Sequence, residues 1–408
     1  MQAALGHGRA LDGLDRSAVI AQRLSAQLLA GPPARDPTAV ARRLLAIQGQ
    51  DPRGARLAIR ARTKGLTVAD VDRALTDERS LLITWLNRGT LHLVASEDYH
   101  WLHALTTPPL HTANARRLAQ EGVTPAEADR GVIVIERALG DEGPLTRAQL
   151  RERLTQAGVR TEGQALVHLL FAASLRGIAV RGPMIGSQHA YALVADWVTA
   201  PPPIPRERAL AQLARRYLAG HGPAGDRDLA KWAGLPLRDA RAGLAAIASH
   251  LSQRPDGLVA LSEPPATAEL SEPSATAELS EPPATADLSG TPATADLSGT
   301  AATADLRPPP SGELSAPTAI VELPPPRLLG AFEPALLGWS SREPILRGDP
   351  ARIVGGGMFR PFALVNGRAV AVWKYVGGEV RIEPFVDLSP ADLAALNEDA
   401  RDLVRFLG

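Results

Sequence analysis

The chain lacks cysteine altogether, and it also lacks long apolar runs. Without cysteine there can be no disulfide bond, no thiolate metal site and no cysteine nucleophile. No apolar run reaches the roughly 18 residues of a membrane-spanning helix, so we expect no association with a membrane. Residues 1–15 also lack the apolar segment of a signal peptide. These absences favour a protein of the reducing cytoplasm.

Motifs of cofactor and metal enzymes are missing as well. The sequence has no GxxxxGKS or GxxxxGKT phosphate loop, no HExxH zinc motif and no GxSxG turn. His100 and His103 could share a helix face, but a metal site needs a third ligand. We therefore expect neither a cofactor nor a metal. A Ser-His-Asp triad assembled by the fold stays an open alternative.

Lysine is scarce, with three lysines among the 44 basic residues, and the remaining basic residues are arginine. Arginine suits bidentate contacts with phosphates and base edges, although a GC-rich coding bias would give the same composition. The formal net charge of zero hides an uneven distribution. Residues 261–323 hold ten acidic residues and one basic residue, which leaves 43 basic and 34 acidic residues elsewhere. The rest of the chain is therefore basic and could bind a polyanion.

A nine-residue repeat, beginning LSEPPATAE at Leu261, fills this acidic segment and decays towards Leu323. One leucine in nine residues cannot bury a stacked core, and the prolines oppose both helix and sheet. We interpret residues 261–323 as a disordered linker rather than a solenoid. An acidic tether that competes with DNA for the basic surface is the alternative.

Before the repeat, helices followed by a hairpin recur three times. Helical patterns cover residues 17–30, 37–48, 67–75, 146–156, 162–175, 206–219, 226–233 and 237–250. Strand patterns cover residues 81–83, 90–94, 178–181 and 189–194. A third wing starts at residue 258. Thr67 and Asp70 predict a capping box at one of these helices. This order is that of a winged helix.

We therefore predict a mainly α fold with β wings, in the α+β class. Its parts would be a flexible N-terminus at 1–15, winged-helix modules at 16–125, 126–200 and 201–260, the linker at 261–323, and a C-terminal β domain at 324–408. Strand patterns at 353–358, 362–365, 369–374 and 380–384, a turn at Asn366-Gly367 and a final helix at 390–406 indicate a small antiparallel sheet in the last part.

Tandem helix-and-wing modules are typical of nucleic-acid binding, because a helix enters a groove while the wing meets the backbone. Candidate phosphate ligands are Arg42, Arg43, Arg53, Arg56, Arg60 and Arg62. Arg88 and His92, beside the predicted first hairpin, could hold phosphate or probe the duplex. Alternatively, Arg88 is only a turn residue, and His92 is a strand residue whose ring bonds to the backbone. We expect Trp85, Trp101 and Trp232 in the core.

The polar stretch Gln48-Gly49-Gln50-Asp51 follows an apolar helix face, where polar residues are ordinary. Two glutamines one residue apart reach a similar depth only if the local backbone is irregular, and Gly49 permits that. Asp51 could assist chemistry, or it could act only as a cap at a helix end.

Several segments resemble the AlkZ/YcaQ-like DNA glycosylases of the winged-helix superfamily. They are LAIQGQDPRGARLAIRAR at 45–62, TWLNRGTLHLVASEDYHWL at 84–102, PAGDRDLAKWAGLP at 223–236, RLLGAFEPALLGW at 327–339 and RPFALVNGRAVAVW at 360–373. The resemblance implies excision of N7-alkylated purines from double-stranded DNA and, in some members, unhooking of interstrand crosslinks. It places the catalytic Gln-x-Gln pair on Gln48 and Gln50, with Gly49 where a small or aliphatic residue is usual.

Glutamine suits such a reaction chemically. Glycosidic hydrolysis passes through an oxocarbenium-like transition state, and an N7-alkylpurine is already cationic, so it leaves without being protonated. A glutamine carbonyl then needs only to orient a water. Flipping of the lesion and access through the groove both stay open. The rival functions are a non-catalytic DNA-binding regulator or resistance accessory, and a structural protein that has lost DNA binding. We expect a monomer at the bacterial nucleoid, and no protein partner is evident.

Overall fold

The computed structural model describes residues 17–262, 322–347 and 350–408. These residues belong to one structural unit. The predicted flexible N-terminus at 1–15 and nearly all of the predicted linker lie outside the described residues. None of the helices described here combines the length and the apolar composition that a bilayer crossing requires.

Several helices begin where the sequence supplies caps. They are α1 (residues 17–26), α2 (Pro37–Leu44), α3 (Pro52–Arg60), α4 (Val68–Thr76), α5 (Tyr99–Thr106), α6 (Leu110–Gln120), α7 (Pro125–Glu142), α8 (Arg147–Gln156), α9 (Ala165–Leu175), α10 (Val194–Trp197), α11 (Arg206–His221), α12 (Asp226–Ala233), α13 (Leu237–Ala246), α14 (Pro334–Leu337) and α15 (Pro390–Leu407). The predicted capping box of Thr67 and Asp70 is present at α4. At α2 an aspartate cap, Asp36, precedes a proline at the first position, which needs no N–H donor there.

The strands form antiparallel sheets. They are β1 (Ile47–Gln48), β2 (Leu81–Leu86), β3 (Thr90–Ala95), β4 (Ala179–Ile185), β5 (Gln188–Leu193), β6 (Leu251–Gln253), β7 (Val259–Leu261), β8 (Arg327–Leu329), β9 (Val354–Gly355), β10 (Met358–Phe359), β11 (Phe362–Val365), β12 (Arg368–Val376) and β13 (Glu379–Pro384). The mixed α+β class is as predicted. The number of winged-helix modules and their boundaries stay predictions.

The first two hairpins form one sheet rather than two separate wings. Strand β2 pairs with β4 at Ile83 and Arg181, giving the order β1-β3-β2-β4-β5. Strand β1 lies at one edge, where it pairs with β3. A two-residue edge strand leaves side chains near the surface, which matters for the site described below.

Both faces of this sheet are covered by apolar side chains. On one face, Leu82 and Leu86 of β2 join a core with α5 and α11. On the other face, Ile83 of β2 and Leu93 of β3 join a core with α2, α3 and α4. Residues 47–94 therefore lie in a rigid, two-sided core. The predicted core positions of Trp85, Trp101 and Trp232 are confirmed, since all three are buried.

The C-terminal sheet has the order β13-β12-β11-β8 and contains the strands expected around Asn366-Gly367. It packs on the first module, because Leu328 and Ala363 share a core with Leu57 of α3. The contact is close: a Cβ on Gly54 would lie 2.3 Å from the carbonyl oxygen of Ala331. The C-terminal segment thus helps to hold α3 in place.

The predicted helix over 37–48 is wrong in its last turn. Helix α2 ends at Leu44, because Leu45 adopts a φ of 63°, which a right-handed helix cannot continue. Ile47 and Gln48 then enter β1. The apolar spacing that suggested a longer helix reflects burial of Ile47 against β3 instead.

Candidate active site

Strand β1 brings the two glutamines together at the sheet edge. Gln48 lies opposite His92 of β3, and the Gly49 N–H donates to the Leu91 carbonyl oxygen at 2.7 Å. Gln48 is 7% exposed, whereas Gln50 lies at the surface. The Gln48 Nε2 donates to the Gln50 Oε1 at 2.5 Å. This bond fixes the Gln48 amide, with its Oε1 directed away from the bond.

Gly49 does not need its conformational freedom here, contrary to our expectation of an irregular backbone. Its φ lies outside the left-handed region. A Cβ at this position would lie 3.5 Å from Ile83 Cγ2 and 3.5 Å from the Leu93 nitrogen, which is ordinary van der Waals contact. The strand pairing alone therefore sets the depth of both glutamines.

We expect the Gly49→Ala variant to keep full activity and to gain about 0.4–1 kcal/mol of stability, because alanine restricts the unfolded chain. Urea unfolding checks the stability. Gly54→Ala is the matched control: its Cβ would collide with the Ala331 carbonyl oxygen, so it should lose about 1–3 kcal/mol. A loss of activity in Gly49→Ala with unchanged stability would contradict our view of β1.

His92 is buried beside Gln48, with 3% of its surface exposed. Its Nδ1 donates to the Thr90 carbonyl oxygen at 2.9 Å. Burial, together with the positive charge of Arg88, lowers the pKa of His92 to about 3. The ring is therefore neutral at physiological pH. A buried ring of this kind cannot reach phosphate, so the predicted DNA contact of His92 does not fit the structure, and the alternative of a strand histidine bonded to backbone does.

Strands β1, β2 and β3, with the turn that joins β2 to β3, contain several buried polar atoms without partners. Gln48 Oε1, Thr84 Oγ1, Thr90 Oγ1 and both amide atoms of Asn87 are buried and have no hydrogen-bond partner among the described residues. Burying such atoms costs free energy unless each one has a hydrogen-bond partner. Our sequence analysis did not single out Thr84 or Asn87. The available signal was Thr84 itself, a single polar residue within the apolar strand LLITWL.

Asp51 caps the start of α3 rather than the end of a preceding helix. Its side chain accepts a hydrogen bond from the Arg53 N–H at 2.9 Å, and Pro52 follows at the first helical position. A carboxylate near a helix N-terminus is stabilised by the unpaired N–H groups there. Asp51 therefore has a structural role that accounts for its position.

Three of the predicted phosphate ligands face the interior. Arg56, Arg60 and Arg62 are buried, with 8%, 2% and 1% of their surfaces exposed. Arg56 pairs with Asp72, Arg60 with Asp399 and Asp402, and Arg62 with Glu333. A guanidinium enclosed with carboxylates is not placed to meet a phosphate. Each of these three arginines joins α3, or the turn that follows it, to other parts of the core, and this geometry does not support the DNA contacts predicted for them.

Arg42 and Arg43 lie in the last turn of α2. Arg42 makes a bidentate ion pair with Glu97, with both contacts at 2.7 Å. Arg43 donates to the Ala219 carbonyl oxygen at 3.3 Å. Both side chains are half-buried, so α2 offers less free positive charge than the sequence indicates.

Arg53 and Arg88, which both follow the paired glutamines in the sequence, are exposed. The Arg53 guanidinium lies 5.7 Å from the centre of the Tyr375 ring. Arg88 donates to the carbonyl oxygens of Trp232 at 2.5 Å and Lys231 at 3.1 Å, at the end of α12. As for metals, the described residues contain no group of three His, Asp or Glu side chains that could hold one.

Comparison with known proteins identifies the family. The model of the AlkZ-like DNA glycosylases matches residues 41–406. The chain belongs to the AlkZ-like DNA glycosylase family. An interstrand DNA cross-link repair glycosylase from Streptomyces sahachiroi is 25% identical over 411 residues, with 96% of each chain covered. The solved structure of Streptomyces sahachiroi DNA glycosylase AlkZ has the same fold, with a TM-score of 0.65, 23% identity and 96% of each chain covered.

Membership of this family confirms the resemblance inferred from the sequence. The chain is a DNA glycosylase, an enzyme that hydrolyses N-glycosyl bonds, and its substrate is DNA. The rival interpretations as a non-catalytic regulator or a structural protein do not hold.

Proposed function

We propose that this glycosylase releases N7-alkylated, cationic purines from double-stranded DNA, and that Gln48 and Gln50 are its catalytic residues. The observation that carries the proposal is the pair of joined amides, one buried and one exposed, at the edge of a rigid sheet. A neutral pair of this kind can orient a water but cannot protonate a leaving base.

The two glutamines have different tasks. Gln50 accepts a hydrogen bond from the Gln48 Nε2 and so turns the Gln48 carbonyl oxygen inward. The buried Gln48 Oε1 has no partner among the described residues, so it is free to accept a bond from the attacking water. Holding that water in line with the sugar carbon lowers the barrier by removing orientational freedom.

The lack of an acid at this place favours a substrate that is already charged. An unmodified purine needs a proton to leave, whereas an N7-alkylpurine carries its positive charge from the start. The adjacent carboxylate of Asp51 is engaged at the N-terminus of α3. Glutamine chemistry therefore restricts the enzyme to labile lesions, and bulky or crosslinked N7 adducts belong to the same class.

Arg53 and Arg88 are the best-placed of the predicted phosphate ligands, because both are exposed and neither forms an ion pair with a described carboxylate. We assign them to phosphates on either side of the lesion. Arg42 can add a weaker contact, since Glu97 offsets its charge. Phosphate contacts of this kind position the duplex without reading its sequence.

The test is release of free base from duplexes that carry 7-methylguanine, an N7 crosslink or a neutral lesion such as uracil. We expect release of the first two and none of the third, and Gln50→Ala should slow release at least about 10-fold because Gln48 loses its support. Asp51→Asn is the matched control: it keeps the cap, removes the charge and should leave the rate unchanged. Equal release by wild type and Gln50→Ala would remove the role of the pair.

A further inference from the structure

Three polar side chains cross the five-stranded sheet in one line, which we call the polar row: Gln48 of β1, His92 of β3 and Thr84 of β2. His92 is the cross-strand partner of both Gln48 and Thr84. Directly opposite residues share a face of the sheet, with Cβ atoms about 4.5–5.5 Å apart. All three are at least nine-tenths buried, and the flanking residues of β2 on this face are Leu82 and Leu86.

The hydrogen bond of His92 fixes which ring nitrogen carries the proton. A backbone carbonyl can only accept, so Nδ1, which lies 2.9 Å from the Thr90 carbonyl oxygen, must carry the hydrogen. The neutral ring then has a bare lone pair on Nε2. No described residue donates a hydrogen bond to that nitrogen.

The polar row therefore contains two acceptors that cannot satisfy each other, Gln48 Oε1 and His92 Nε2, and one hydroxyl, Thr84 Oγ1. A single water, with two O–H donors and two lone pairs, has enough hydrogen-bonding groups to serve all three. A buried water typically makes about three hydrogen bonds of this kind. The row also reaches solvent, because Gln48 is bonded to the exposed Gln50.

We propose that His92 is a catalytic residue of this glycosylase: its Nε2 accepts a hydrogen bond from the water held by Gln48 Oε1 and takes that proton as the water oxygen bonds to the sugar carbon. The inference rests on the proposed function and adds a base to it. Thr84 is a positioning residue that holds the same water from the third strand.

The step balances as follows. A lone pair of the water oxygen forms the bond to C1′, and the C1′–N9 bond breaks with its electron pair going to the purine. That pair neutralises the cationic base, which leaves as a neutral molecule. The water proton passes to His92 Nε2, and the imidazolium then releases it to solvent. The products are the free alkylpurine and an abasic site.

The surroundings suit a weak, reusable base. Burial lowers the pKa of His92 to about 3, so the ring is a weak base that is neutral before it takes a proton. Arg88 is the charged group acting on the ring, and its positive charge favours rapid loss of the captured proton. Unlike a carboxylate, the ring is neutral before the reaction, so it places a full charge in this apolar core only while it holds the captured proton.

Two substitutions separate the parts of this role. In His92→Asn the amide nitrogen takes the place of Nδ1 and can still donate to the Thr90 carbonyl oxygen, but nothing replaces Nε2. In His92→Gln the longer side chain can place an amide oxygen near the Nε2 position, which can hold the water but cannot take its proton. We expect His92→Asn to slow single-turnover release of 7-methylguanine about 10²-fold, at the low end for loss of a general base.

The solvent deuterium isotope effect distinguishes catalysis from structure. Wild type should show a normal effect on single-turnover release, and both His92 variants should lose it. Affinity for an abasic product duplex should not change. His92→Gln should release base faster than His92→Asn if holding the water contributes, while remaining below wild type. Thr84→Val should show a smaller loss and keep the isotope effect.

An unaltered release rate or isotope effect in folded His92→Asn would overturn this inference and leave the proposed function intact. Absence of base release by wild type would remove both. A measurement on wild type covers the case in which variants unfold: nitrogen NMR of the isotope-labelled protein, with the ring signals assigned through bonds from the His92 backbone amide. We expect a protonated Nδ1 and a bare Nε2 at neutral pH, and the opposite tautomer or a charged ring would overturn the assignment.

Discussion

Replacing Gln48 by leucine is expected to slow release of 7-methylguanine by about 10²–10³-fold, the loss seen when one preorganised polar group is removed from an active site. Leucine has a similar volume, so the fold should survive. It removes the Oε1 that would hold the water and the Nε2 that bonds to Gln50. Single-turnover kinetics on an alkylated duplex measure the effect directly.

Two further variants sharpen this test. Gln156→Leu makes the same replacement at an exposed glutamine at the end of α8 and should leave the rate unchanged. Gln48→Asn keeps the amide but withdraws it by one methylene, so its rate should fall between those of wild type and Gln48→Leu. Full activity in a folded Gln48→Leu would show that the buried amide plays no part in the chemistry.

The largest effect on stability is expected from Arg62→Met. The side chains of Arg62 and Glu333 are both 0% exposed, and their ion pair joins the turn after α3 to the residue that caps α14. Arg62 also donates to the Gln27 carbonyl oxygen at 2.7 Å and the Ala58 carbonyl oxygen at 2.8 Å. Removing the arginine leaves a buried carboxylate without its partner, which costs about 3–5 kcal/mol. Urea or thermal unfolding measures the change.

Adding Glu333→Gln to Arg62→Met should restore part of that loss, because the second change removes the uncompensated charge. The control is Arg137→Met, which breaks the exposed i,i+4 pair with Asp141 and should change stability by less than about 1 kcal/mol. If Arg62→Met proved as mild as Arg137→Met, the pair would not be holding these segments together.

Local patterns predicted much of the fold correctly. The Thr67 cap with the helix it starts, the helix after Thr146, and the strands on either side of Asn87 all appear where the sequence indicated. These features depend on interactions between residues only a few positions apart, so a short stretch of sequence is enough to predict them. Helix α7 was missed, although Thr124 and Pro125 mark its start by the same rules.

The arginine cluster shows where such patterns fail. Six arginines within 21 residues suggested a basic surface, yet Arg60 and Arg62 point into the core. Their carboxylate partners, Asp399 and Glu333, lie 339 and 271 residues away along the chain. Helical spacing shows which residues share a face, but it cannot show whether that face meets solvent or another element. The partner of a charge is decided only when distant segments pack.

The amino-acid sequence by itself determined the composition limits, the local elements and the positions of the two glutamines. Only the tertiary structure decided that β1 is an edge strand, that Gln48 faces inward while Gln50 stays exposed, and that His92 and Thr84 stand in line with Gln48. The reason is that side-chain direction in a sheet follows from register, and the register of β1 is set by its pairing with β3, from which α3, α4 and β2 separate it in the chain.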